Sequence, residues 1–251
     1  MSSPTFPSVD GFVDVVGRGR MGEALASALG QGGVAVRGPL GRGADGAGAA
    51  VVLLCVPDRE IAAAAHLIAA GPLVGHLSAS APLELLAPHE RFGLHPLMTV
   101  TRAGARFAGA ACAIDGSSGR ALGMARALAE RLGMRPRTIP AADRALYHAA
   151  ASAASNFLVT VEQMAESMAG RVGLDRAALL PLVQATVDNW AAYGVEVALT
   201  GPIIRGDEAT VERQRDAVAG RMPEALPLWD ALTTATRQLA VGRRGRTPGD
   251  A

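Results

Sequence analysis

Near its N-terminus the chain places four apolar residues, Phe12, Val13, Val15 and Val16, in a short run that ends at a glycine cluster and gives way to an Ala/Leu-rich stretch reaching Leu29. That pattern predicts a strand followed by a helix. A second strand is expected over Gly33 to Val36, ending at Arg37. The segment Gly38 to Gly48 then carries five glycines and is too short for a strand plus a crossover helix. Further apolar runs predict strands over Ala49 to Val56, Leu73 to Leu77, Phe92 to His95, Ala111 to Asp115 and Arg135 to Ile139. Helices are expected from about Asp58 to Ala70 and over Ser118 to Leu132. This alternation is that of a mostly parallel α/β domain.

At about Pro140 the pattern changes. From Asp143 to Ala169 neither glycine nor proline occurs, and 27 helical residues would reach ~40 Å. Beyond Gly170, breakers such as Gly173, Pro181, Gly194, Gly201-Pro202, Gly206, Gly220, Pro223 and Pro227 cut the remainder into shorter helices. The expected organisation is an α/β domain over 11–140, an all-α domain over 141–241 opened by the long helix, and an irregular tail over 242–251. A cleft between the domains would be the place for chemistry.

The glycine cluster between the first strand and helix is Gly17-Arg18-Gly19-Arg20-Met21-Gly22. In that position it reads as a dinucleotide-binding turn of a Rossmann-like domain. The first glycine permits the turn, the second lets backbone approach a pyrophosphate, and the third lets helix and strand pack closely. No acid stands at the expected end of the second strand, where a ribose 2′-hydroxyl would want one. Arg37 and Arg42 offer cations for a 2′-phosphate, which favours NADP over NAD. Either arginine could instead be a solvated loop charge. Val56-Pro57-Asp58, at the tip of the third strand, should lie beside the cofactor because ligands gather at the carboxyl ends of parallel strands.

Composition narrows the function classes. A formal net charge of +1 gives no electrostatic footprint for nucleic acid or an anionic membrane, which leaves a small molecule as the expected partner. The longest apolar run, Ala49 to Pro57, is far short of a membrane span, and residues 1–10 show neither a basic nor an apolar leader region. The expectation is a cytoplasmic protein. The two cysteines, Cys55 and Cys112, fall in apolar strands and look like buried thiols, with no metal site in prospect. All 24 basic residues are arginine, so any mechanism that needs a lysine acid, base or Schiff base is excluded.

Candidate chemistry falls at three places. On the long helix His148, Ser152 and Asn156 stand at i, i+4 and i+8, which stacks them on one face. They suit an acid/base and two hydrogen-bonding groups for a reacting carbonyl or imine, or else they bridge buried backbone. In Leu199-Thr200-Gly201-Pro202-Ile203-Ile204-Arg205-Gly206-Asp207, Asp207 is placed to cap the next helix. Arg205 could grip a substrate carboxylate or pair with Asp207. Thirdly, His95-Pro96 ends a strand and should project into the same crevice, while His76 precedes the turn Leu77-Ser78-Ala79-Ser80.

Over nearly its full length the chain resembles a family of Rossmann-like proteins, most of all its actinobacterial members, whose C-terminal helical domain has long been described only as a domain of unknown function. The resemblance is carried by Gly17 to Gly22, Val56-Pro57-Asp58, His95-Pro96-Leu97, Tyr147-His148-Ala149-Ala150, Ser155-Asn156 and the segment Leu199 to Asp207. It implies kinship with NADP-dependent ketopantoate reductase and pyrroline-5-carboxylate reductase. A homodimer formed through the helical domain is a further implication. Two departures matter. Ser78-Ala79 stands where relatives show Ser-Gly, and Ser152 stands where the wider hydroxyacid-dehydrogenase group has a lysine four residues before the asparagine. Carbonyl reduction would then draw its proton from His148, His95 or water, whereas a protonated imine needs no strong acid. Three expectations stand side by side: an NADPH-dependent reductase of a carboxylate-bearing carbonyl compound, an imine reductase, and a non-catalytic NADP-binding module.

Overall fold

The computed structural model describes residues 11–244. The expected leaderless start, and residues 245–251 of the expected tail, lie outside them. The strands are β1 (Phe12–Val16), β2 (Val36–Leu40), β3 (Ala49–Leu54), β4 (Leu73–His76), β5 (Arg91–Pro96), β6 (Ala111–Gly116) and β7 (Arg135–Thr138). They form one sheet in the order β2-β1-β3-β4-β5-β6-β7, parallel except for the antiparallel β5–β6 pair. Helices α1 (Arg20–Gln31), α2 (Ile61–His66) and α3 (Gly119–Arg131) connect them. As the glycine-rich spacing requires, β2 and β3 are joined without a helix.

The chain divides into two compact units between Asn156 and Phe157. In the first, one face of the sheet packs Val13, Val15, Leu53, Leu94 and Ile114 against Leu25 and Leu29 of α1 and Leu128 of α3. The other face buries Val16, Val52, Leu54 and Val74 with Ile61 and Ala65 of α2. A buried leucine or isoleucine of this kind contributes about 1.5–3 kcal/mol. Toward β6 this second face turns polar. Leu54 is opposite His76, His76 opposite Gly93, Gly93 opposite Asp115, and His95 opposite Ala113, so these residues share one side of the sheet.

The long helical run begins at α4 (Arg144–Ser152), passes through a π-turn (Ala153–Phe157) and continues as α5 (Leu158–Gly170). An unbroken α-helix is corrected here. Ser155 Oγ donates to the carbonyl of Ala151 at 2.8 Å, a local bond that competes with the regular ladder where the helix widens. The division between units falls inside this turn, later than the change of sequence pattern at residue 140.

Two other expectations shift. The second strand does not end at Arg37 but starts at Val36 and runs to Leu40, through Gly38-Pro39. The sequence pattern reads those two residues as breakers, yet on an edge strand proline costs no ladder bond. The helix expected from Asp58 to Ala70 is a 3-10 turn (Asp58–Glu60) followed by α2, which stops at His66. Its chain is drawn off when Ala69 N–H donates to Asp45 O at 2.7 Å.

The second unit is all helical: α5, α6 (Arg176–Tyr193), α7 (Val195–Ala198), α8 (Pro202–Arg205), α9 (Glu208–Arg221) and α10 (Leu226–Arg244), the last extending into the expected tail. Arg215 of α9 holds Asp230 of α10 through two bonds of 2.8 and 2.9 Å, beside buried Val211, Val218, Met222 and Ala240. In contrast α6 buries none of its residues and leaves Leu180, Leu182, Val187, Trp190 and Tyr193 exposed.

Candidate active site

The glycine turn has the geometry its sequence predicts. Gly17 adopts φ +124°, and a Cβ there would lie 2.2 Å from the carbonyl oxygen of Cys55, so only glycine fits. A Cβ on Gly22 would lie 1.9 Å from Gly17 O, which is how closely the first turn of α1 presses on the end of β1. At Gly19, the residue preceding α1, a Cβ would meet nothing within 4 Å. Open space in front of the free N–H groups of a 12-residue helix is what an incoming anion needs. The residues present thus fit a dinucleotide pyrophosphate.

Around the carboxyl end of β2 the arginines divide by partner. Arg37 lies inside the strand, where Nε and Nη2 reach Asp14 Oδ1 and Oδ2 at 2.6 and 2.7 Å and Nη2 also reaches Ala47 O at 2.9 Å. Asp14 is almost fully buried on β1, so this pair ties β2 to the sheet. The expected placement of Arg37 at a strand end is therefore corrected, because a buried carboxylate claims its guanidinium. Arg42 lies beyond the strand end and is 69% exposed, with Nη1 2.9 Å from Glu60 Oε2. From the glycine turn, Arg18 Nη2 comes to 4.0 Å from the Cβ position of Gly41, the residue before Arg42. Arg18 and Arg42 bring cations to this corner, and Arg59 Nη2 also reaches Glu60, 3.9 Å from Oε1. Arg20 and Met21 open α1 itself.

Past the tip of β3, Val56 and Pro57 lead to Asp58, whose Oδ2 accepts from Ser78 Oγ at 2.7 Å and Ser80 Oγ at 3.4 Å. Ser78 Oγ in turn accepts from the N–H groups of Ser80 and Ala81. Asp58 thereby fixes the turn after β4. His76, the last residue of β4, is fully buried, and burial lowers its pKa, as does the charge of Arg144 to a smaller extent.

Helix α4 covers the polar part of the sheet. Arg144 Nη2 donates to Asp115 Oδ2 at 2.8 Å. One turn on, Tyr147 Oη stands 3.0 Å from His95 Nδ1 and 3.3 Å from the carbonyl oxygen of His95, with the rings edge-on. His148 follows, its ring centroid 6.1 Å from that of His95. A cavity of about 310 Å³ is lined by His95, Leu97 to Val100, His148, Ala151, Ser152, Ser155 and Asn156. Four residues proposed from sequence, His95, His148, Ser152 and Asn156, are thus brought to one place. The π-turn changes how Asn156 follows Ser152, so the regular i, i+4, i+8 stack does not carry through.

The electrostatics of this cluster are specific. Burial, then the charge of His148, push the His95 pKa down to about 4, only partly opposed by Asp58. Burial pushes the Tyr147 hydroxyl up to about 12, against a backbone bond from Ala113 and the charge of Arg144. Both groups are neutral at pH 7. Burial also pushes Cys55 and Cys112 up to about 12, in keeping with unreactive thiols. Among the described residues no group of His, Cys, Asp and Glu could hold a metal ion.

Arg205 belongs to the second unit, exposed at the end of α8, and Asp207 caps α9 by accepting from Thr210 N–H at 3.1 Å. Sequence reasoning passed over Tyr147 and Arg144 as site residues. The signal was available in their spacing, since 144, 147, 148 and 151 fall on one helical face with His148.

The family model for a domain of unknown function, DUF2520, matches residues 110–236, half of the chain. The chain belongs to the DUF2520 family. Among curated proteins no significant match is found. Several solved structures are similar to this DUF2520 chain. A candidate NADP oxidoreductase of Bacteroides fragilis is 20% identical, with a TM-score of 0.76 over 91% of this chain and 98% of that one. A protein of Thermotoga maritima is 24% identical, with a TM-score of 0.75 over 92% and 99%. The NADP-bound pyrroline carboxylate reductase of Plasmodium falciparum is 10% identical, with a TM-score of 0.59 over 92% and 99%. At these identities the likeness carries the fold, a Rossmann-like domain followed by a helical one. No helix among the described residues is long and apolar enough to cross a membrane.

Proposed function

We propose that this DUF2520 protein is an NADPH-dependent reductase of a small carboxylate-bearing compound with a C=N or C=O bond. The observation that carries the reading is the glycine turn, open at Gly19 and closed at Gly17 and Gly22, with Arg18 and Arg42 at the neighbouring strand end. The turn would hold the pyrophosphate. The two arginines would hold the 2′-phosphate, and Arg37 would support them by fixing β2 through Asp14. Bound in this way, the reduced nicotinamide supplies a hydride. The protein's part is to bind and orient the substrate, with Ser152 and Asn156 hydrogen-bonding the reacting group and His148 carrying a proton where one is needed.

A ketopantoate-type 2-oxo acid is the candidate that the sequence resemblance suggests. Imine reduction is favoured by one feature of the site: beside a neutral His95 and without a lysine anywhere in the chain, an already protonated imine asks least of the protein. The NADP-bound pyrroline carboxylate reductase among the similar structures is named for such a substrate. We further propose a cytoplasmic homodimer. The unburied apolar residues of α6 support pairing, because a helix apolar on most sides is normally covered.

A panel of small 2-oxo acids and cyclic imines with NADPH, followed by loss of the reduced-nicotinamide absorbance, tests the proposal. Turnover of at least one carboxylate-bearing member is expected, with His148→Ala and Asn156→Ala lowering kcat. Binding of NADPH without turnover of any member would favour a non-catalytic NADP-binding module.

A further inference from the structure

The hydroxyl of Tyr147 makes two contacts with the same residue, 3.0 Å to His95 Nδ1 and 3.3 Å to the carbonyl oxygen of His95. A phenol has one proton to give. If that proton were spent on Nδ1, the phenol oxygen and the carbonyl oxygen would face each other at 3.3 Å with no proton between them. If instead Nδ1 carries a proton and donates it to Oη, the hydroxyl is free to donate to the carbonyl, and each contact has its proton. Only the Nδ1–H tautomer of a neutral His95 satisfies both. Its other nitrogen, Nε2, is then a bare lone pair on a residue that lines the cavity with His148, Ser152 and Asn156.

We infer that Tyr147 is a positioning residue that holds His95 as the Nδ1–H tautomer, so that the site offers the reacting group a hydrogen-bond acceptor. This rests on the reductase reading and narrows its substrate class. A ketone presents only lone pairs to Nε2 and is disfavoured there. A protonated imine presents N–H and is oriented by it. The balance of the reaction agrees: a hydride brings two electrons to the imine carbon, the C=N pair moves onto nitrogen, and the cationic imine becomes a neutral amine. The N–H proton stays where it was, so His95 accepts a hydrogen bond throughout and neither gives nor takes a proton. Tyr147 acts through His95, fixing its ring and its tautomer.

The test is the ¹⁵N spectrum of the full chain labelled at histidine, with the His95 signals assigned by loss in His95→Asn. At pH 7 the parent should show protonated Nδ1 and unprotonated Nε2. Tyr147→Phe keeps the ring's packing and removes both hydroxyl contacts. Two hydrogen bonds of ordinary net strength set a tautomer ratio by roughly tenfold or more, so the variant should move toward the Nε2–H form. In turnover it should lose kcat on cyclic imines with unchanged NADPH affinity. An Nε2–H signal in the parent, or a tautomer unmoved in Tyr147→Phe, overturns the inference even if the protein is a reductase. The reductase reading fails separately, by absence of NADPH binding, with the tautomer result standing. Thermal melts of the variant keep a folding defect distinct, and the parent spectrum alone decides the tautomer.

Discussion

His95→Asn should flatten the pH dependence of the first unit's stability. His95 has its pKa lowered to about 4 from an ordinary 6.5 by burial and by His148, with Arg144 and His76 acting the same way and Asp58 opposing. The unfolded chain therefore takes up a proton near pH 6.5 that the folded chain refuses until about pH 4. Stability is complete above pH 6.5 and is lost as pH falls toward 4, at about 1.4 kcal/mol per unit in the steep part. Between pH 7 and pH 5 the loss attributable to His95 is about 2 kcal/mol. Asparagine removes the titration while its side-chain N–H can still reach Tyr147, and His76 titrates in both proteins and cancels. The assay must report the first unit. Both tryptophans, Trp190 and Trp229, lie in the second, so tryptophan fluorescence is the wrong probe. Hydrogen exchange of the β4 and β5 amides, corrected for intrinsic rates, gives the opening free energy where it is needed. Parallel loss of stability in parent and variant over this range would refute the buried, neutral His95.

The glycine turn separates folding from binding. Gly22→Ala, with its Cβ 1.9 Å from Gly17 O, should cost about 3 kcal/mol or more in a denaturant melt. Gly19→Ala should stay within about 0.5 kcal/mol of the parent yet bind NADPH at least tenfold more weakly, as read by calorimetry. Arg37→Ala strands the buried Asp14 carboxylate and should destabilise by about 3 kcal/mol. Arg42→Ala should leave stability within about 0.5 kcal/mol while narrowing the gap between NADPH and NADH affinities. Light scattering at micromolar concentration should give twice the 25.6 kDa chain mass, and a clean monomer mass would reject the dimer.

What the sequence made legible was periodic or local. The strand run before Gly17, the helix capped by Ser118, whose hydroxyl accepts from Ala121 N–H, and the helix-less link between β2 and β3 all follow from short-range pattern. The second strand was misplaced because Gly38-Pro39 reads as an end. What carries the strand past it is Asp14, 23 residues away, which holds Arg37. The π-turn was hidden because nothing in an alanine-rich run marks a widened helix except a serine able to bond back to Ala151. His95 and His148 were individually visible as polar residues in apolar settings. Tyr147 shares the helical face of His148, but its role comes from a partner 52 residues earlier that only the fold brings within 3.0 Å.

The most direct test of the central claim is a calorimetric titration of NADPH and of NADH into the full chain under the same salt. A turn shaped by Gly17, Gly19 and Gly22 with Arg18 and Arg42 beside it should bind both nucleotides, NADPH at least tenfold more tightly. Equal affinities would remove the arginine corner from the account, and failure to bind either nucleotide would contradict the reductase reading as a whole.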